Sequence, residues 1–237
     1  MGARFAYVFL SLTLVAAGIA AGVATWLAWL PCDDAGLSGS ILAGYQAPAE
    51  FTDACLQRMD GSDAVPLAAG TAEAKALSAL LLGVGWLTFV PRLRLNARLK
   101  TVVLLPVVPL VWYAMETRRT LDADTLWELT RTSGAIELAG LVAAIVILVW
   151  SPKGRERSLS LLGLLAVTGF GVAHTVLDYM MMIGLSDANW DMPPGSGYLT
   201  AALMVICGLL VGVLGWNIGR GGSPAPSDNP SGQLVAA

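Results

Sequence analysis

Residues 5–30, FAYVFLSLTLVAAGIAAGVATWLAWL, form an apolar run without a single charged side chain. A helix rises 1.5 Å per residue, so about 20 such residues cross the ~30 Å hydrocarbon core of a bilayer. Further apolar blocks lie at about 76–91, 101–115, 135–151, 159–183 and 198–218. Blocks of this length, rather than an amphipathic period, indicate an all-α integral membrane protein built as a six-transmembrane-helix bundle. Composition agrees. Charged residues make up 13% of the chain and hydrophobic residues 56%, against about a quarter charged in an ordinary soluble domain.

The basic residues set an expected orientation. Six spans put both termini on one side, together with Arg4, Arg92, Arg94, Arg98, Lys100, Lys153, Arg155, Arg157 and Arg220. Arg58, Lys75, Arg118, Arg119 and Arg131 fall on the other. The termini are therefore expected in the cytoplasm of a plasma membrane, and the short loops with Ala/Gly-rich spans suggest a bacterial inner membrane. The first apolar run is about 26 residues, longer than the 7–15 of a signal-peptide core, so it is read as a retained span. Residues 1–219 form one membrane domain. The Gly/Pro/Ser-rich tail, 220–237, is expected to be disordered. A net charge of −3 without a basic stripe excludes a nucleic-acid partner.

The outer loop, 31–73, carries Cys32 and Cys55 and several acidic residues. Two cysteines on an oxidising face are expected to pair. A second outer segment contains a short interfacial helix from about Asp124, with Leu126, Trp127 and Leu129 on its apolar side. Trp26, Trp29, Trp112 and Trp190 are placed at the outer interface and Trp86, Trp150 and Trp216 near the inner one, as an aromatic belt.

Lipid supplies no hydrophobic drive for helix pairing, so small residues mark packing faces. Gly208, Gly212, Gly215 and Gly219 share one face of the sixth span, and Gly18 and Gly22 share one face of the first with Ser11 and Thr25. Their partner is a helix of the same chain, another membrane protein or a second copy. Pro106 and Pro109 each remove a backbone donor from the third span, leaving carbonyls near Val102 and Leu105 unpaired.

The single histidine, His174, lies in the fifth span with Asp178 one turn later and Met181 and Met182 beyond. Taken as one straight helix, the span puts His174 about 4–5 Å outside the midplane and Asp178 about 10 Å out. Glu137 and Glu116 close neighbouring spans on the same side. Charged groups at such depth are costly and usually face the bundle interior. Three readings follow. His174 and Asp178 pair to hold span five against span four. Or His174, Asp178, Glu137 and Glu116 form a proton or cation site. Or His174, Asp178, Met181 and Met182 hold a metal, or His174 a haem. No cofactor is required by the first two. The leading functional expectation is a non-enzymatic accessory or scaffold subunit. The alternatives are a small transporter or channel, and a metal- or haem-binding redox protein.

Overall fold

The computed structural model describes residues 3–35, 53–59, 68–118, 123–186 and 195–218. All regular elements among them are helices: α1 (Ala3–Ala28), α2 (Asp53–Met59), α3 (Thr71–Phe89), α4 (Ala97–Val103), α5 (Val107–Glu116), α6 (Ala123–Trp150), α7 (Arg155–Val167), α8 (Val172–Ser186) and α9 (Tyr198–Ile218). Five stretches are long and apolar enough to cross a membrane, or six when the bent pair α7–α8 is counted as one span. The tail 220–237, Gly219, Arg119 and Trp190 lie outside the described residues.

Several expected boundaries change. The second and third spans are longer than expected, at Thr71–Arg92 and Ala97–Glu116. Thr71–Glu73, read as the end of the outer loop, belong to the first turn of α3. The interfacial helix expected from Asp124 is not separate. It continues into the fourth span as one 28-residue helix, because Ser133 and Gly134 weaken a helix without removing a backbone donor. The fifth span is not one straight helix: α7 and α8 meet at 74°. Depths reckoned along a straight axis through His174 and Asp178 therefore do not apply.

The bundle is organised on α1, which packs most extensively against α9 and α3. The glycine faces of the first and last spans meet each other, antiparallel, within the chain. A Cβ placed on Gly18 would lie 2.8 Å from the Ala201 carbonyl oxygen and 2.9 Å from the Val205 nitrogen. One placed on Gly208 would lie 3.0 Å from the Val15 nitrogen, and those on Gly212 and Gly215 would meet Ser11 and Tyr7. Glycine is required there because backbone approaches backbone. At Gly22 the nearest atom is 3.9 Å away, ordinary contact. On the α3 side, the buried Ser78 hydroxyl donates to the Ala17 carbonyl at 2.8 Å.

The proline pair divides the third span at Leu104–Pro106. The carbonyls expected to be orphaned are not. Val102 O accepts from the Leu105 amide at 3.1 Å, and Leu105 O accepts from the Val108 amide at 3.2 Å. The Val107 amide turns back to Leu104 O, so Val103 O has no helical donor of its own. The Trp86 indole N–H donates to it at 2.7 Å. Trp86 is fully buried, which removes it from the expected belt and makes it the pin between α3 and the broken span. Trp29 is also buried, and its indole donates to Ser196 O at 3.2 Å. Trp26, Trp112, Trp150 and Trp216 do expose their rings.

Cys32 and Cys55 form a disulfide. With Trp29 and Met59 they make a small buried cluster apart from the main core. The cluster marks one end of the bundle, called here the disulfide end. At the opposite end Arg157 donates through Nε to Ser151 O at 3.1 Å and also through Nη2. Lys100 donates to Pro91 O at 2.7 Å, and Arg94 pairs with Glu156 at 3.6 Å.

Two outcomes test this packing. Gly18→Ala and Gly208→Ala should each lower unfolding stability in detergent by about 1–3 kcal/mol, the usual cost of overpacking, whereas Gly22→Ala should change it little. Trp86→Phe should cost roughly 1–3 kcal/mol by leaving the Val103 carbonyl unsatisfied; a melting temperature equal to wild type would contradict the pinning role.

Candidate solute site at the disulfide end

The site begins with the break in the fifth span. The sequence there is Thr168-Gly-Phe-Gly171. Thr168 ends α7, its hydroxyl donating back to Leu164 O and Leu165 O at 3.2 and 3.1 Å. Short backbone bonds then run from Gly169 N to Ala166 O and from Gly171 N to Thr168 O. Gly169 sits where Met204 packs, and Gly171 where the Glu137 carboxylate packs.

The restarted helix α8 needs its first amides satisfied. Glu137 supplies this from α6: its Oε2 accepts from the Ala173 amide at 3.3 Å. A second carboxylate acts the same way one helix later. Asp178, buried at 4% exposure, reaches from α8 to the start of α9. Its Oδ1 accepts from the Thr200 amide at 3.1 Å, and its Oδ2 from the Gly197 amide. Gly197 has φ 110° and no side chain, so it cannot cap α9 itself. Asp178 does so from across the bundle. Negative charge at a helix N-terminus is stabilised by the amides and the helix dipole.

His174 and Asp178, expected as a pair, make no hydrogen bond or ion pair with each other among the described residues. His174 is 7% exposed. Neither Nδ1 nor Nε2 of its ring completes a hydrogen bond. Glu116 is buried as the last residue of α5. Met182 is buried, whereas Met180 and Met181 are turned outward. Among the described residues no three of His, Cys, Asp and Glu come together as metal ligands. Cys207 is buried and unpaired in α9.

Beside the break lies a cavity of about 270 Å³. Gly169, Phe170, Thr175, Asp178 and Tyr179 line it from the fifth span. Thr71 and Lys75 line it from α3, Tyr113 from α5, Ser133 from α6, and Ser196, Gly197 and Thr200 from the start of α9. Phe170 stacks on Tyr113 with ring centroids 4.8 Å apart. The Thr25, Thr71 and Thr175 hydroxyls donate to carbonyls of their own segments, so each presents lone pairs only. The Lys75 ammonium and the Tyr113 and Tyr179 hydroxyls have no partner among the described residues. Of these lining residues, Asp178 alone was singled out as a site in the sequence. Lys75 read as one more outer basic residue, and Tyr113 as part of an apolar block. Only the Thr-Gly-Phe-Gly string carried a signal for the break, as two glycines mid-span.

No protein-family model, no curated protein and no solved structure matches the chain.

The separate anchoring of His174 and Asp178 makes a sharp prediction. In a double-mutant cycle of His174→Leu and Asp178→Asn, read by unfolding in detergent, the coupling should stay within about 0.5 kcal/mol. Asp178→Ala should be the more damaging single change, by about 1–3 kcal/mol, because it strands two helix-start amides. A large coupling would restore the direct pair.

Proposed function

We propose that this chain is a six-span plasma-membrane protein with cytoplasmic termini, and that the cavity at its outer, disulfide end binds a small polar solute as a small transporter does. The observation that supports this is the convergence of uncommitted polar groups, Lys75, Tyr113 and Tyr179, on a cavity bordered by a broken span. Tyr113 and Asp178 are buried, Tyr179 is half-buried and Lys75 is exposed at the rim; a polar side chain buried in an apolar bundle is costly, and its usual reason is a ligand or a path. Discontinuous helices that expose backbone ends toward a cavity are the usual way a transporter builds its site. Glu137 and Asp178 contribute by holding the two helix starts that frame it, rather than by forming a shared cluster with His174. The exposed apolar faces along α1, α3, α6 and α9, and the exposed tryptophans toward both ends, support burial in lipid.

A second reading, an accessory subunit that displays the outer loop to a partner, draws on a different observation. The disulfide cluster is fastened to the bundle through Trp29 and Ser196, so α2 is held against the bundle end as a defined surface. A partner that co-purifies with wild type and is lost on Cys32→Ser/Cys55→Ser would favour it.

The solute reading is tested by filling the cavity at its small-residue wall. Protein in nanodiscs is heated alone and with millimolar panels of neutral, cationic, anionic and zwitterionic small solutes. At least one solute should raise the wild-type melting temperature, and Ala28→Phe, at a residue that lines the cavity, should abolish that rise while its own melting temperature stays within a few degrees of wild type. If no solute of any class shifts the wild type, the cavity is not a binding site. Orientation is tested separately: a periplasm-dependent reporter fused after residue 118 should be active, and the same reporter fused after residue 218 inactive.

A further inference from the structure

Lys75 and Asp178 carry opposite charges and line one cavity, yet they do not meet. No ion pair joins them, and Lys75 has no other partner among the described residues. Asp178 accepts from the Gly197 and Thr200 amides, the Leu199 amide is also directed at it, and an ionised carboxylate offers about four acceptor sites, so capacity remains for one further donor. Tyr113 is 5% exposed and lines the same space, and its hydroxyl has no hydrogen-bond partner among the described residues. Ala21 and Ala24 give a smooth apolar wall. A cavity of about 270 Å³ is far above the ~10–15 Å³ that admits a single water, and leaves room for one small organic molecule.

Charge matching narrows the class. A simple cation held at Asp178 would face the Lys75 ammonium, and a simple anion at Lys75 would face the Asp178 carboxylate. A neutral solute would leave the exposed Lys75 ammonium without a counter-charge and the buried Asp178 carboxylate with acceptor capacity unused. A molecule carrying both charges satisfies both walls at once. We propose that the cavity binds a small zwitterion of the amino-acid type, its ammonium donating to the Asp178 carboxylate and its carboxylate accepting from Lys75. This inference rests on the solute-binding reading and specifies its ligand. Tyr113 supplies a further hydrogen bond, and the alanine wall accepts a short apolar side chain.

The probes are glycine, L-alanine and L-serine, with ethylamine, propionate and glycerol as the matched cation, anion and neutral molecule. Binding to the full chain in nanodiscs is measured by titration calorimetry. The zwitterions should bind, with each single-charge probe and glycerol weaker by about tenfold or more, the usual worth of one charged hydrogen bond. Lys75→Gln should weaken L-alanine by about tenfold and leave ethylamine unweakened. Asp178→Asn should weaken L-alanine and spare propionate. Should Asp178→Asn not fold, Lys75→Gln decides the matter, since Lys75 makes no contact that holds the bundle. Glycerol or one single-charge probe binding as tightly as L-alanine would overturn the zwitterion assignment and leave solute binding standing, as would L-alanine affinity indifferent to Lys75→Gln. Silence from every probe, joined to silence in the wider thermal panel, would overturn both.

Discussion

A helix that stops inside an apolar bundle leaves amides and carbonyls that water does not reach, and each must find a partner in the protein. Much of the specific structure of this chain meets that demand. Prolines break the third span, and the Trp86 indole takes the carbonyl of Val103. Glycines break the fifth, and Thr168 closes the end of α7 while Glu137 opens α8. The last helix begins at a glycine that has no cap of its own, and Asp178 supplies one from α8. Trp86, Glu137 and Asp178 thus supply helix-end chemistry from neighbouring helices. Each such bond also fixes one element against another, so satisfying the backbone sets the tertiary arrangement.

The close contact of α1 with α9 is the complementary device. There the helices are unbroken, no polar group needs a partner, and attraction comes from backbones brought together over glycine. This contact joins the two ends of the chain into one layer and leaves α5, α6, α7 and α8 to close around it. The cavity lies where the two devices meet: unbroken α1 and α3 on one side, the broken fifth span and the capped start of α9 on the other. Its space exists because the 74° bend carries α8 away from the line of α7. Its polarity comes from Asp178 with the start of α9 that it caps, and from Lys75, Tyr113 and Tyr179.

Much of the architecture was legible in the sequence. The apolar blocks marked the long helical segments, five or, with the bent pair counted as one, six, because crossing length depends only on local composition. Cys32 and Cys55, with no competing cysteine in the outer loop, read as the pair they form. The spacing of Gly208, Gly212 and Gly215 marked a face, since helical period is local. Errors arose where a residue's meaning depends on what lies opposite. Trp86 and Trp29 read as interfacial by position, but each is buried because a carbonyl elsewhere needs its N–H. His174 and Asp178 read as partners by their four-residue spacing, but Asp178 is drawn to amides about twenty residues further on. The fifth span read as straight because its hydropathy is continuous, and hydropathy does not register two glycines and a threonine that turn the backbone.

The sequence by itself determined that this chain makes long apolar helices, which of their faces carry small residues, where prolines interrupt them and which cysteines pair. These are properties of composition and of short-range period. Only the tertiary structure decided that the first and last helices are the ones that meet over glycine, that Glu137 and Asp178 serve as caps for helices not their own, and that Lys75, Tyr113 and Asp178 border one cavity. Those facts depend on which helix end arrives beside which side chain. That is set by satisfying every buried backbone group at once, a condition on the whole bundle that no local window of residues contains.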